Sequence, residues 1–320
     1  LAQDGIEVAE KMCDLVQKYT GVLANDVVVA STGVIGQPLD ITPIANGMNE
    51  LVLGLGDNSE HAAEGIMTTD TVKKEIAVEF ELGGRTCRIG GIAKGSGMIH
   101  PNMATMLVFI TSDVKIAPKM LQKALSSDIA DTFNMISIDG DTSTNDMVTV
   151  LANGTAGNAE IADEGADFKM FMKALNTVNV YLSRMIAGEG ATKLLECKVS
   201  GAPDTKTAKT VAKSVICSSL TKAAMFGADA NWGRVLCAIG YSGAQVDVGK
   251  ISCAFSSNSG CITVCENGAG VEFSEELAKK ILLEKEIEIL IDLHDGGFCA
   301  TAWGCDLTYD YVKINGDYRT

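Results

Sequence analysis

A glycine-rich polar stretch ends at a threonine that could act as a nucleophile. Residues 94–107 read Lys-Gly-Ser-Gly-Met-Ile-His-Pro-Asn-Met-Ala-Thr-Met-Leu, and an apolar run follows as far as residue 110. The hydroxyl of Thr105 suits attack on the carbonyl of the small residue Ala104, which would cut the chain between them. Thr105 would then carry its own base, a free α-amine with a pKa of roughly 7.7–8. From this run alone, a threonine that begins a strand is the simpler interpretation.

Six other short segments combine glycine, threonine and acidic or basic residues. They lie at 31–36, 67–71, 139–146, 188–193, 227–234 and 315–320. Together with the threonine run, they resemble the glutamate N-acetyltransferase/ornithine acetyltransferase family of arginine biosynthesis, in family order and over nearly the whole chain. That family cleaves itself at the Ala-Thr bond of such a run. The resemblance therefore implies cleavage between Ala104 and Thr105, an alpha chain of residues 1–104 and a beta chain that starts at Thr105.

The resemblance also implies roles for residues outside the threonine run. Thr32 and Gly33 match the pair that holds the oxyanion of the tetrahedral intermediate, where one well-placed donor contributes roughly 3–4 kcal/mol. The implied substrate contacts are Thr71, Lys94, Thr105, Glu189, Asn315 and Thr320. The chain's end at Thr320 is then expected to fold back over the site.

The residue types alone leave other interpretations open. Thr32 and Gly33 fit an ordinary strand-to-helix turn, and Glu189 fits the turn that ends a helix. Lys94, in a glycine-rich loop, is of a kind that usually faces solvent. In the site it could hold the α-carboxylate of a substrate or disfavour protonation of the nearby amine, and the sequence does not separate these roles. The carboxylate of Glu189 suits the distal amine of ornithine.

The activity that the resemblance implies is a ping-pong acetyl transfer. Thr105 takes the acetyl group from N2-acetylornithine and passes it to glutamate. Some family members also accept acetyl-CoA and are therefore bifunctional, and the sequence leaves this open. We expect no cofactor, and by family habit a heterotetramer of two alpha and two beta chains. The expected compartment is the cytoplasm, or an organelle matrix in a eukaryote. Family members carry residues before the position of Leu1, so we expect a fragment or an unusual start.

Two rival functions remain. An amino-terminal-threonine peptidase or amidase of related fold would use the same nucleophile with water as the acceptor. An uncleaved protein could instead keep only an amino-acid pocket. A metal site is the weaker interpretation of the acidic segment 139–146, because Thr144 and Val150 stand where a calcium loop needs glycine and glutamate. We expect no metal and a hydrogen-bonded loop beside the active site.

Composition excludes several classes of function. The chain has 320 residues, 47% of them hydrophobic, and a net charge of −15, which argues against nucleic acid and anionic membranes as partners. No apolar run reaches the roughly 18 residues of a membrane span. The ten cysteines contain no Cys-x-x-Cys pair, so we expect small buried hydrophobic residues in a reducing compartment.

Hydrophobic periodicity predicts a mixed α/β fold of the α+β type. Helices are expected at 6–19, 43–53, 115–129, 168–186, 204–218 and 274–283. Strands are expected at 26–30, 75–82, 85–92, 106–110, 135–138, 147–151, 287–293 and 298–307, with short turns at 83–84 and 295–296. A second lobe is expected to begin with residues 194–199. This order implies largely antiparallel mixed sheets covered by helices. The resemblance implies an α-β-β-α sandwich core, which we place at 1–193, and a smaller carboxy-terminal lobe at 194–320.

Overall fold

Two mixed β-sheets and ten α-helices make up the part of the chain that the structure describes. The structure is a computed structural model, and it describes residues 4–95, 97–100 and 106–317. Ala104, Thr105 and Thr320 lie outside these ranges. The predicted mixed α/β class with mainly antiparallel pairing is confirmed.

The first sheet has four strands in chain order. They are β1 (Lys74–Leu82), β2 (Arg85–Lys94), β3 (Leu107–Ser112) and β4 (Met147–Ala152). The first three are antiparallel, and β4 runs parallel to β3. Gly83 and Gly84 have φ angles of 54° and 76°, and such positive values at both central residues are what the predicted two-residue hairpin turn requires.

The second sheet has six strands, and its order departs from the chain order. The strands are β5 (Leu194–Ala202), β6 (Ser252–Ser257), β7 (Gly260–Glu266), β8 (Ala269–Gly270), β9 (Glu286–Asp292) and β10 (Phe298–Cys305). Their order across the sheet is β10-β5-β9-β6-β7-β8, and only the pair β5 and β9 is parallel.

The turn at 295–296 does not close a hairpin, because β5 lies between β9 and β10. Asp295 donates its amide to the carbonyl of Gly201 at the end of β5, at 2.7 Å. Gly296 lies so close to Ala202 that a Cβ would overlap the Ala202 carbonyl. The Asp-Gly pair was correct as a turn and wrong as a hairpin, since it carries the chain over the end of a third strand.

Two predicted strands are absent from the described structure. Ala24–Asp26 is a short 3-10 turn, and residues 27–30 have no ladder partner among the described residues. Phe133–Met135 is also a 3-10 turn, and Ile136 makes a single bridge to Trp303. Ile136 is fully buried, so its apolar character reflects burial in the core and not a place in a strand.

The helices that were predicted from periodicity are confirmed within a few residues. The full set is α1 (Gly5–Thr20), α2 (Thr42–Leu53), α3 (Ser59–Gly65), α4 (Pro118–Ile129), α5 (Ala166–Ala187), α6 (Thr205–Cys217), α7 (Ser219–Phe226), α8 (Trp232–Gly240), α9 (Glu275–Leu282) and α10 (Tyr309–Asp317). Sequence reasoning missed α3, α7, α8 and α10, each of nine residues or fewer. The side chain of Asp204 caps α6 by accepting the amide of Thr207.

The long helix α5 lies at the centre of the core. Phe171, Leu175, Val178, Leu182 and Ile186 follow helical spacing and are fully buried. This stripe packs on β1 and β2, and the helix also contacts β10. One hydrophobic cluster consequently runs through both sheets, and the boundary between 193 and 194 stays a prediction.

The cysteine prediction holds in part. All ten thiols are free, and five of them are buried. Cys237, Cys261 and Cys299 are exposed, so the expectation of burial was wrong for these three. Within the described ranges, no helix is long and apolar enough to cross a membrane.

We predict that Phe171→Ala lowers the free energy of unfolding by about 3–5 kcal/mol, because it leaves a cavity between α5 and β1. Phe171 is 0% exposed and its ring lies 6.5 Å from that of Phe80. Urea unfolding measures the effect. Met170→Ala is the matched control, since Met170 lies on the same helix and is 43% exposed. Equal unfolding midpoints for the two variants would contradict this picture of the core.

Candidate active site

A cavity of about 270 Å³ gathers four of the residues predicted for the site, namely Thr32, Gly33, Lys94 and Asn315. They come from three distant parts of the chain: the segment before α2, the end of β2 and the helix α10. The remaining lining residues include Gly97 and Met98 of the loop after β2, and five residues of the acidic segment 139–146. The acidic segment 139–146 therefore borders this cavity. Among the described residues, no group of His, Cys, Asp or Glu side chains is arranged to hold a metal ion.

Lys94 is the last residue of β2, where it pairs with Leu107 at the start of β3. Its side chain is buried, with 2% of the residue exposed, which rules out the alternative of a solvent-facing lysine. Burial lowers the pKa of the ammonium, and the charge of Lys74 lowers it further, while Asp70 and Asp146 act in the opposite direction. The register places this charge next to the residues that follow Thr105 in sequence.

A buried ionic cluster lies behind Lys94. The ammonium of Lys74 is fully buried and lies 2.7 Å from a carboxylate oxygen of Asp70 and 2.7 Å from one of Glu189. The amide of Gly95 donates to the same Asp70 oxygen, at 2.7 Å. Burial opposes ionisation of Asp70, but Lys74 and the amide donors outweigh it and lower the pKa of this carboxyl group. The cluster therefore fixes the backbone immediately after Lys94.

Thr71 and Glu189 contact each other and do not line the 270 Å³ cavity. Glu189 Oε1 accepts the amide of Thr71 at 2.5 Å and its hydroxyl at 2.7 Å. Glu189 is 4% exposed. Thr71 lines a separate opening of about 360 Å³, together with residues that include Gly190 and Lys313. The predicted contacts of Thr71 and Glu189 with substrate stay predictions.

Asp146 ends the acidic segment 139–146 and holds the backbone of Met106, a role that sequence reasoning did not single out. Its Oδ1 accepts the amide of Met106, and the amide of Met147 donates to the Met106 carbonyl at 2.8 Å. The other oxygen, Oδ2, is buried with no hydrogen-bond partner in the described part of the chain. Burial raises the pKa of this carboxyl group to about 7, against the effects of the Met106 amide and of Lys94. The available signal was its position directly before the strand β4.

Comparison with known proteins agrees with the motifs. The model of the ArgJ family matches residues 1–320. The chain belongs to the ArgJ family. Arginine biosynthesis bifunctional protein ArgJ 1 of Clostridium acetobutylicum is 53% identical over 99% of this chain and 78% of its own length. The ArgJ protein of Thermotoga neapolitana is 48% identical over 99% of this chain and 81% of its own length.

A crystal structure of an ArgJ family member shares the fold. The arginine biosynthesis bifunctional protein ArgJ of Bacillus halodurans is 47% identical and superposes with a TM-score of 0.62. The match covers 66% of this chain and 98% of the crystallised chain. That ArgJ chain is therefore matched almost completely by about two thirds of the present one.

We predict that Asp146 makes stability depend on pH. Because its folded pKa is raised from 3.8 to about 7, the folded state binds this proton more tightly than the unfolded chain. The contribution of Asp146 to the free energy of unfolding is therefore lost as pH rises towards 7. The side chain of Asp146→Asn cannot ionise. The melting temperature of this variant minus that of the parent protein should therefore be at least about 2 °C higher at pH 8 than at pH 5. Asp14→Asn, at an exposed position of α1, is the control. A difference that does not vary with pH would refute the prediction.

Proposed function

We propose that this chain is a self-processing acetyltransferase of arginine biosynthesis, which moves the acetyl group of N2-acetylornithine to glutamate. One observation carries the proposal: a single cavity collects Thr32, Gly33, Lys94 and Asn315 from three distant segments. Membership of the ArgJ family supports it, since relatives about 50% identical are named arginine biosynthesis bifunctional proteins.

The proposed nucleophile, Thr105, comes two residues before β3 in sequence. Met106 is held through its amide by Asp146 and through its carbonyl by Met147. One peptide bond joins Met106 to Thr105.

Self-processing is the first reaction. The hydroxyl of Thr105 adds to the carbonyl of Ala104, and the peptide C–N bond breaks as the acyl group moves to oxygen. This shift frees the α-amine of Thr105, and water then hydrolyses the ester, which restores the hydroxyl and leaves a carboxylate on Ala104.

Acetyl transfer follows in two halves. The amine of Thr105 accepts the hydroxyl proton as the oxygen attacks the acetyl carbonyl, and the hydroxyl of Thr32 and the amide of Gly33 stabilise the oxyanion. The proton passes to the departing α-amine of ornithine. The amine of glutamate then attacks the acetyl ester and regenerates Thr105.

The charges around the cavity suit an amino-acid substrate. N2-acetylornithine carries one carboxylate and one distal ammonium group at neutral pH. The cavity lining contains the cation Lys94 and the carboxylates Asp139 and Asp141. We assign the α-carboxylate to Lys94, because a buried cation attracts an anion more strongly than an exposed one.

We propose a cytoplasmic heterotetramer of two alpha and two beta chains as the working form.

Thr105→Ala should stay a single chain and lose acetyl transfer, since it lacks the hydroxyl for both reactions. A denaturing gel of the parent protein should show pieces of roughly one third and two thirds of the mass, beginning at Leu1 and Thr105. Thr105→Ser is the matched control, because it keeps the hydroxyl and should still be cleaved. Acetyl transfer by Thr105→Ala, or a single band from fully active parent protein, would overturn the proposal.

Product analysis separates the transferase from the rival amidase. We expect acetylornithine and glutamate to give acetylglutamate, with little free acetate when glutamate is omitted, because the acetyl-Thr105 ester waits for an amine. Equal acetate release with and without glutamate would favour the amidase. A parallel reaction with acetyl-CoA in place of acetylornithine shows whether this chain has the second activity.

A further inference from the structure

The carboxylate of Asp139 joins three segments that are far apart in sequence. Its Oδ1 accepts the amides of Ile99 at 3.0 Å and Asp141 at 3.2 Å. Its Oδ2 accepts the amide of Met98 at 2.7 Å and the hydroxyl of Tyr311 at 2.9 Å. Hydrogen bonds to an ionised acceptor are about twice as strong as neutral ones, so this carboxylate is a strong tie between the loop after β2 and α10.

The loop side of this tie is under backbone constraint. Met98 has a φ of 56°, a left-handed conformation that non-glycine residues rarely adopt. Such a conformation persists only where the surroundings hold it. The hydrogen bond from its amide to Asp139 is the contact that holds it here. Because this loop leads towards the Ala104–Thr105 bond, its conformation bears on the cleavage reaction.

The helix side of the tie carries a predicted substrate contact. Tyr311 lies in the first turn of α10, and its carbonyl accepts the side-chain amide of Asn315 at 2.9 Å. Asn315 in turn lies against Gly97, where a Cβ would overlap its Oδ1. Burial, together with the charge of Asp139, raises the pKa of Tyr311, so the hydroxyl stays protonated and keeps donating.

We propose that Asp139 and Tyr311 are positioning residues. Asp139 binds the amides of the loop after β2, and its hydrogen bond with Tyr311 fastens α10 to the same carboxylate, which holds Asn315 at the cavity. The expected effects on KM and on self-cleavage rest on the proposed function. Without the bond, α10 spends part of its time away from the cavity, and the apparent affinity for substrate falls by the fraction lost. The chemistry at Thr105 keeps its own groups, so kcat should change little.

Tyr311→Phe removes only the hydroxyl. We expect normal cleavage, a KM for acetylornithine about five- to twentyfold higher and a kcat within about twofold of the parent value. Tyr309→Phe is the matched control, since Tyr309 lies on the same helix and is 81% exposed. Unchanged KM in Tyr311→Phe would overturn the proposal.

Asp139→Asn tests the loop side. In this variant an amide nitrogen replaces one acceptor oxygen and so faces a hydrogen-bond donor of the loop or of Tyr311. We therefore expect self-cleavage to be at least about tenfold slower. Gels of samples taken after a pulse of cell-free synthesis measure the rate. Asp14→Asn is the control. Circular dichroism shows whether Asp139→Asn is folded. If it is not, Tyr311→Phe still tests the hydrogen bond between Tyr311 and Asp139. Cleavage of folded Asp139→Asn at the parent rate would overturn the loop side.

Amide hydrogen exchange separates this proposal from the proposed function. In Tyr311→Phe, exchange should speed up in residues 309–317 and at Met98 and Ile99, and in Tyr309→Phe it should not. This readout needs no activity. Absence of acetyl transfer in the parent protein would count against the proposed function, whereas unchanged exchange in Tyr311→Phe would count against the tie itself.

Discussion

The buried ammonium of Lys74, between the carboxylates of Asp70 and Glu189, is the interaction on which the site depends. A charge at this depth persists only when it is paired, and removal of one partner of such a pair typically costs 3–5 kcal/mol. Both carboxylates also hold backbone: Asp70 accepts the amide of Gly95, and Glu189 accepts that of Thr71. One cluster thereby joins the segment before β1, the end of β2 and the turn after α5.

The cluster also sets the electrostatics of the cavity. Charges alternate from Glu189 through Lys74 and Asp70 to Lys94. Asp146, whose pKa is raised to about 7, is only partly ionised at neutral pH and accepts the amide of Met106 before β3. Lys94 is attracted by both Asp70 and Asp146, so it can be buried at the cavity and still carry charge for an anionic substrate group. A cation there also disfavours protonation of an amine nearby, so the two roles that the sequence left open for Lys94 are compatible.

Sequence reasoning succeeded where the signal is local. The stripe of α5 and the Gly83-Gly84 hairpin depend on residues a few positions apart, and both are present. It failed where a strand needs a distant partner. Residues 27–30 are as apolar as many strands but have no ladder in the described chain, and the Asp295-Gly296 turn crosses the end of β5 because of sheet order. Sheet order depends on contacts that no local pattern contains.

The residues around the cavity also fall into two groups, those in local motifs and those that act on distant parts of the sequence. Thr32 and Gly33 belong to a local motif and line the cavity, whereas Asp146 acts on Met106 from 40 positions away. The tail shows the difference most clearly. The resemblance put Asn315 at the site, but the means is the hydrogen bond from Tyr311 to Asp139, 172 positions away in sequence, which belongs to no motif. The same contact explains part of the glycine content of the loop after β2. Gly97 leaves room there for the side chain of Asn315, so this glycine serves close packing as well as freedom of the backbone.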